Sequence, residues 1–123
     1  MSKKRILVVD DEEAFTRAVK RNLQTAYNVK VVNQGRRVCG VVHDFRPDLI
    51  LLDVMIPDMD GCEVASKLKE CPCCRDIPVV FVTALVAKSK AADKKTKVND
   101  YHGIAKPVSP EDLIACIEEN LKK

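Results

Sequence analysis

Short β-branched and leucine-rich runs recur along this chain, and the central ones do not alternate with polar residues. They are "RILVV" (5–9), "VKVV" (29–32), "LILL" (49–52) and "VVFV" (79–82), with a weaker fifth around Ile104 and Ala105. A strand with one wet face alternates; a strand apolar throughout is buried on both faces, as in a parallel sheet. Between the runs the apolar period becomes helical. Phe15, Ala18, Val19 and Leu23 form one such stripe, Val38, Val41, Val42 and Phe45 a second, and Gly61, Val64, Ala65 and Leu68 a third. Pro47 closes the second helix, because the residue before a proline avoids helical angles. The last helix is signalled by Ser109 as cap, Pro110 in the first turn and Asp112 completing a capping-box-like pattern. Leu113, Ile114, Ile117 and Leu121 supply its apolar face. A Lys-rich stretch, "KSKAADKKTK" (88–97), reads as a further helix after the fourth run. Strand and helix thus repeat five times, and right-handed crossovers favour a doubly wound α/β sheet.

With 123 residues, 46% hydrophobic and 32% charged, the chain suits one soluble domain spanning 1–123, with no output domain expected. No apolar run approaches the roughly 20 residues of a membrane helix. The basic start is followed by only four apolar residues and then acids, unlike a signal peptide. A cytoplasmic, membrane-free protein is expected. The net charge of +3 is mild. The Lys-rich stretch carries five Lys and one Asp with no aromatic or Arg interleaved, which fits a solvated helix face better than a nucleic-acid surface.

Polar residues stand where the strands should end. Asp10 and Asp11 follow the first run, Asp53 the third, Thr83 the fourth and Lys106 the fifth. In an open α/β sheet, ligands bind at the carboxyl ends of the strands near the point where strand order reverses. With strands ordered 2-1-3-4-5, strands 1 and 3 flank that point and bring Asp10, Asp11 and Asp53 into one crevice. Three carboxylates together repel unless a cation joins them. A set rich in oxygen and free of sulfur and imidazole suits Mg²⁺, which works with phosphates. Lys106 adds a fixed positive charge and Thr83 a hydroxyl, both useful around a phosphoryl group. A carboxylate beside the metal is itself a candidate phosphoryl acceptor.

The segments "ILVVDDE" (6–12), "LILLDVMIPDMDG" (49–61), "VVFVTA" (79–84) and "AKP" (105–107) resemble the receiver domain of two-component response regulators. The resemblance covers essentially the whole chain. It implies a flavodoxin-like (βα)₅ fold with a five-stranded parallel sheet of order 2-1-3-4-5, and a Mg²⁺-dependent phosphorelay. Asp53 would be the phosphoacceptor. Asp11 and Asp53 would bind Mg²⁺ directly with the backbone carbonyl of Met55, and Asp10 largely through water. Thr83 would bond a phosphoryl oxygen and Lys106 would pair with it. Pro57 and Gly61 match the turn into the third helix, where glycine is expected for its backbone freedom. The donor would be a sensor histidine kinase or phosphotransfer protein, and the output an unknown downstream protein reached by contact rather than direct DNA binding. Such a protein is not an enzyme in the usual sense, since it catalyses only its own phosphorylation and dephosphorylation. The alternative is a degenerate receiver acting as an unphosphorylated interaction module.

Two departures stand out. Receivers commonly carry an aromatic three residues before the Lys, where this chain has Gly103, and the spacing from Thr83 to Lys106 is about one residue longer. Either Tyr101 or His102 takes the aromatic role through a bulge, or the coupling to Thr83 is absent, the reading Gly103 favours. The positions two after the acceptor and two after the Thr, which tune phosphoryl lifetime in the family, are Met55 and Leu85, and neither orients a water. Slow dephosphorylation is expected.

Six cysteines are many for this length. "CPCC" (71–74) contains C-x-x-C but follows a helix and precedes a strand, the reverse of the redox-enzyme context. Cys71, Cys73 and Cys74 lack an evident fourth zinc ligand, and Cys116 belongs on the opposite sheet face. Loop thiols are expected, with oxidation or modification the main alternative.

Overall fold

The computed structural model describes residues 3–54, 56, 59–72, 74–83, 95–98, 101–105 and 109–121, and for 83, 95–98, 101–103 and 105 the backbone alone. In chain order the elements are β1 (Lys4–Val9), α1 (Glu13–Leu23), β2 (Tyr27–Val32), a 3₁₀ turn (Gly35–Arg37), α2 (Val38–Phe45), β3 (Leu49–Leu52), α3 (Gly61–Glu70), β4 (Val79–Thr83), β5 (Lys95–Val98), β6 (Tyr101–Ala105) and α4 (Pro110–Leu121).

Successive strand residues face opposite sides of a sheet, and each apolar run is divided accordingly. Leu7, Val9, Ile50, Leu52, Val79 and Phe81 pack with Val38 and Val42 of α2 and Val64, Ala65 and Leu68 of α3. Ile6, Val8, Leu49, Leu51, Val80, Val82 and Ile104 pack on the other side with Val19 and Leu23 of α1 and Leu113, Cys116 and Ile117 of α4. This is the doubly wound α/β architecture expected from the unbroken apolar strands. The stripe predicted for α3 is its buried set, Gly61, Val64, Ala65 and Leu68.

Local chemistry sets the helix ends. Ser109 Oγ accepts from the Asp112 N–H at 3.1 Å, as the capping pattern predicts. Asp60 does the same for α3, accepting from the Cys62 N–H at 2.8 Å. α2 stops at Phe45, and Arg46 turns the chain out with φ 55° and ψ 64° ahead of Pro47. α3 stops before Pro72, which holds Cys71 extended at φ −92°, ψ 118°.

The sheet order is β2-β1-β3-β4-β6-β5. β1 lies parallel between β2 and β3, and β3 pairs parallel with β4. Beyond β4 the sheet departs from the sequence expectation of five strands, all parallel. β6 runs parallel to β4, and β5 runs antiparallel to β6 as a sixth, edge strand. Residues 95–97 of the Lys-rich stretch therefore belong to a strand rather than to the helix expected there. Thr96 and Val98 are compatible with a strand, and the antiparallel pairing with Tyr101–Ala105 decides between strand and helix. The rest of the expected helix, 88–94, lies outside the described residues. The β4–β6 register runs without an insertion from Val80↔His102 to Thr83↔Ala105, which leaves no bulge within 101–105. Gly103 lies mid-strand opposite Phe81 and Thr96. The roles expected of the Tyr101 and His102 side chains lie outside the described residues.

Candidate functional site

The carboxyl ends of β1 and β3 are level, because Val9 is in register with Leu52. β1 leads to β2 on one side and β3 to β4 on the other, so strand order reverses between them. The next residues, Asp10 and Asp53, stand side by side at that reversal. Backbone bonds anchor both: Asp53 N–H donates to the Val9 carbonyl at 3.0 Å, and Asp10 N–H to the Val32 carbonyl at 3.1 Å. Asp10 and Asp53 are 1% and 7% exposed, whereas Asp11 is exposed. One carboxylate oxygen from each of the three lies within 4.8 Å of the others. The three acids singled out from the sequence are thus together.

Asp10 also has a local task. Its Oδ1 accepts from the Glu12 N–H at 2.9 Å, satisfying one of the orphan donors at the start of α1. Two buried carboxylates under 5 Å apart repel by about 3 kcal/mol at an effective dielectric near 20. A divalent cation reverses that sign. Around Mg²⁺ with bonds of about 2.0–2.1 Å, opposite ligands stand about 4 Å apart. The observed spread therefore needs only a small closure, or one bridging water, to take the ion. The donors are all hard carboxylate oxygens, and among the described residues this is the one group of three that fits a metal.

Gly61 serves the site differently from the sequence expectation. None of the described glycines has positive φ, so backbone freedom is not what position 61 requires. A Cβ there would fall 2.4 Å from the Asp53 carbonyl oxygen and 2.7 Å from Val54 Cα. Glycine lets the first turn of α3 close directly on the backbone behind Asp53, where Gly61 N–H donates to the Val54 carbonyl at 2.9 Å.

Sequence reasoning missed Asn33, whose Nδ2 donates to the Asp10 carbonyl at 2.8 Å. It follows Val32, which is in register with Val9, and so stands beside Asp10. The signal was present, a polar residue ending the second run, but only the ends of the other four were read.

Thr83 closes β4 with its backbone paired to Ala105, the last residue of β6. The side chain of Thr83, and Met55, Pro57, Leu85 and Lys106 with the roles assigned to them, lie outside the described residues.

A model of the response regulator receiver domain matches residues 6–118. The chain belongs to this family. The receiver is 34% identical over 121 residues to the response regulator MprA of Mycolicibacterium vanbaalenii, covering 97% of this chain and 51% of that protein. It spans about half the length of that relative. Among solved structures it is similar to a CheY-like receiver domain protein from Methanospirillum hungatei, at 28% identity and TM-score 0.78, covering 98% of this receiver and 95% of that chain. It is also similar to the BeF3-activated receiver domain of DrrB, at 26% identity and TM-score 0.74, covering 98% and 99% of the two chains. No described helix of the receiver is long and apolar enough to cross a membrane.

Proposed function

We propose that this receiver accepts a phosphoryl group on Asp53 from the phosphohistidine of a sensor histidine kinase or phosphotransfer protein, in a Mg²⁺-dependent phosphorelay. The observation that carries the reading is the convergence of Asp10, Asp11 and Asp53 within 4.8 Å at the reversal of strand order. Membership of the family supports it, as does the BeF3-activated state of the similar DrrB domain, since BeF3 mimics a phosphoryl group.

A carboxylate oxygen of Asp53 attacks phosphorus, the P–N bond of the phosphohistidine breaks, and the imidazole nitrogen keeps the electron pair. Asp53 suits the attack because its backbone is fixed to β1 and its side chain projects from the end of a rigid strand. Asp10, Asp11, Asp53 and the Met55 carbonyl would hold Mg²⁺, which when bound neutralises charge on the transferring group. Thr83 would donate to a phosphoryl oxygen, and Lys106 would pair with the phosphoryl charge. The receiver turns over no separate substrate, and it passes the signal to another protein by contact.

The test is mass spectrometry after incubation with a small phosphodonor such as acetyl phosphate and Mg²⁺. One phosphoryl adduct is expected on the wild type and none on Asp53→Asn. A folded wild type that stays unmodified sinks the reading and leaves the degenerate interaction module in its place.

A further inference from the structure

We propose that Cys71 and Cys74 form an oxidisable dithiol, which disulfide oxidants convert to an intramolecular disulfide. The site lies beyond the end of α3, apart from the acidic crevice. Both residues are thiols in the structure. Pro72 stops α3 and starts a tight turn in which the Cys71 carbonyl accepts from the N–H groups of Cys74 and Arg75, both at 3.0 Å. A turn closed between residues three apart holds its end Cα atoms within about 7 Å. A disulfide asks for about 4.4–6.8 Å. Proline in the second position of such a turn restricts the chain before any bond forms. Both side chains belong to one apolar cluster, with Cys74 3% exposed and Cys71 half-buried at its margin.

This asymmetry assigns the order of events. The Cys71 thiolate, the more accessible of the two, attacks a sulfur of an incoming disulfide, and the mixed disulfide forms as one thiolate leaves. The Cys74 thiolate then attacks the Cys71 sulfur, and the second thiolate leaves. The oxidant is reduced to two thiols, which take up the two protons given by Cys71 and Cys74. Cys74 also lines an open cleft of about 200 Å³ with Val42, His43, Arg46, Pro47 and Ile77.

The experiment uses the full chain, equilibrated in buffers of reduced and oxidised glutathione and then alkylated and digested. The expected result is a loss of two hydrogens from the intact mass and a peptide cross-linked between Cys71 and Cys74. Cys74→Ser should instead accumulate a glutathione adduct on Cys71, and Cys71→Ser should lose the disulfide without gaining an adduct at Cys74. Cys73→Ser should keep the disulfide. The proposal is overturned if both thiols remain alkylatable in buffers that oxidise the urea-unfolded chain, or if the cross-link maps to Cys73. The wild-type measurement decides even if a buried serine prevents folding.

Discussion

The same substitution, Gly to Ala, should act with opposite sign at two helical positions of this receiver. Helix propensity alone favours alanine over glycine by up to about 1 kcal/mol. At Gly40, in α2, a new Cβ meets nothing within 4 Å, so that preference is unopposed. At Gly61 the Cβ would lie 2.4 Å from the Asp53 carbonyl oxygen and 3.0 Å from the Asp53 carbonyl carbon. Real Cβ atoms essentially never come within 3.0 Å of such neighbours, so the α3 start and the Asp53–Val54 backbone must part by about 0.6 Å or more. Both sides are backbone, and neither yields by a rotamer change. Overpacking of this kind costs about 1–3 kcal/mol, which outweighs the propensity gain. With a urea slope of about 1–3 kcal/mol/M, the Gly61→Ala midpoint should fall by about 1 M while that of Gly40→Ala stays level or rises. The displaced backbone carries the proposed acceptor, so the rate of phosphoryl adduct formation should fall with Gly61→Ala and not with Gly40→Ala. Equal midpoints for the two variants, or a Gly61→Ala protein that is more stable than wild type, would refute the close-approach argument.

Three further outcomes are expected. Without Mg²⁺, Asp53→Asn should be more stable than wild type by about 1–3 kcal/mol, because it removes one charge from a crowded buried pair. Mg²⁺ at a hundredfold excess over its dissociation constant should then stabilise the wild type by about 2.7 kcal/mol and the variant by much less, a comparison made by thermal melts with and without the ion. Removing a helix cap, Ser109→Ala at α4 or Asp60→Ala at α3, should cost about 1 kcal/mol each in urea unfolding; an unchanged midpoint would mean that water replaces the cap. The Tyr27 phenol titrates above its usual 10.0, first because burial disfavours the phenolate and second because Glu118 repels it. The folded state therefore holds this proton more tightly than the unfolded chain. The stabilisation is complete below pH 10.0 and is lost as pH rises through and beyond that value. Wild type should lose more stability than Tyr27→Phe between pH 9 and about 11; parallel curves would contradict the assignment.

The strands and helices of this receiver were legible because burial leaves a periodic trace. "LILL" carries no polar residue because α3 covers one of its faces and α4 the other. Asp10, Asp11 and Asp53 were legible because a carboxylate directly after such a strand has to answer for its charge. The edge of the sheet was harder. In "KTKV" the lysines fit an exposed helix as well as an exposed edge strand, and the choice falls to pairing with Tyr101–Ala105, which no local pattern records. Gly61 shows the same division. Its identity was legible, but its reason was not, because the atoms that exclude a side chain belong to Asp53 and Val54, earlier in the chain and met only after α3 closes on β3. Asn33 depends likewise on a strand register, Val9 beside Val32, before it reaches the Asp10 carbonyl. The sequence by itself determined which residues are buried and which carry charge at strand ends, since both are properties of single residues and their spacing. Only the tertiary structure decided which backbones touch, because contact distance depends on how separate elements come to rest against one another.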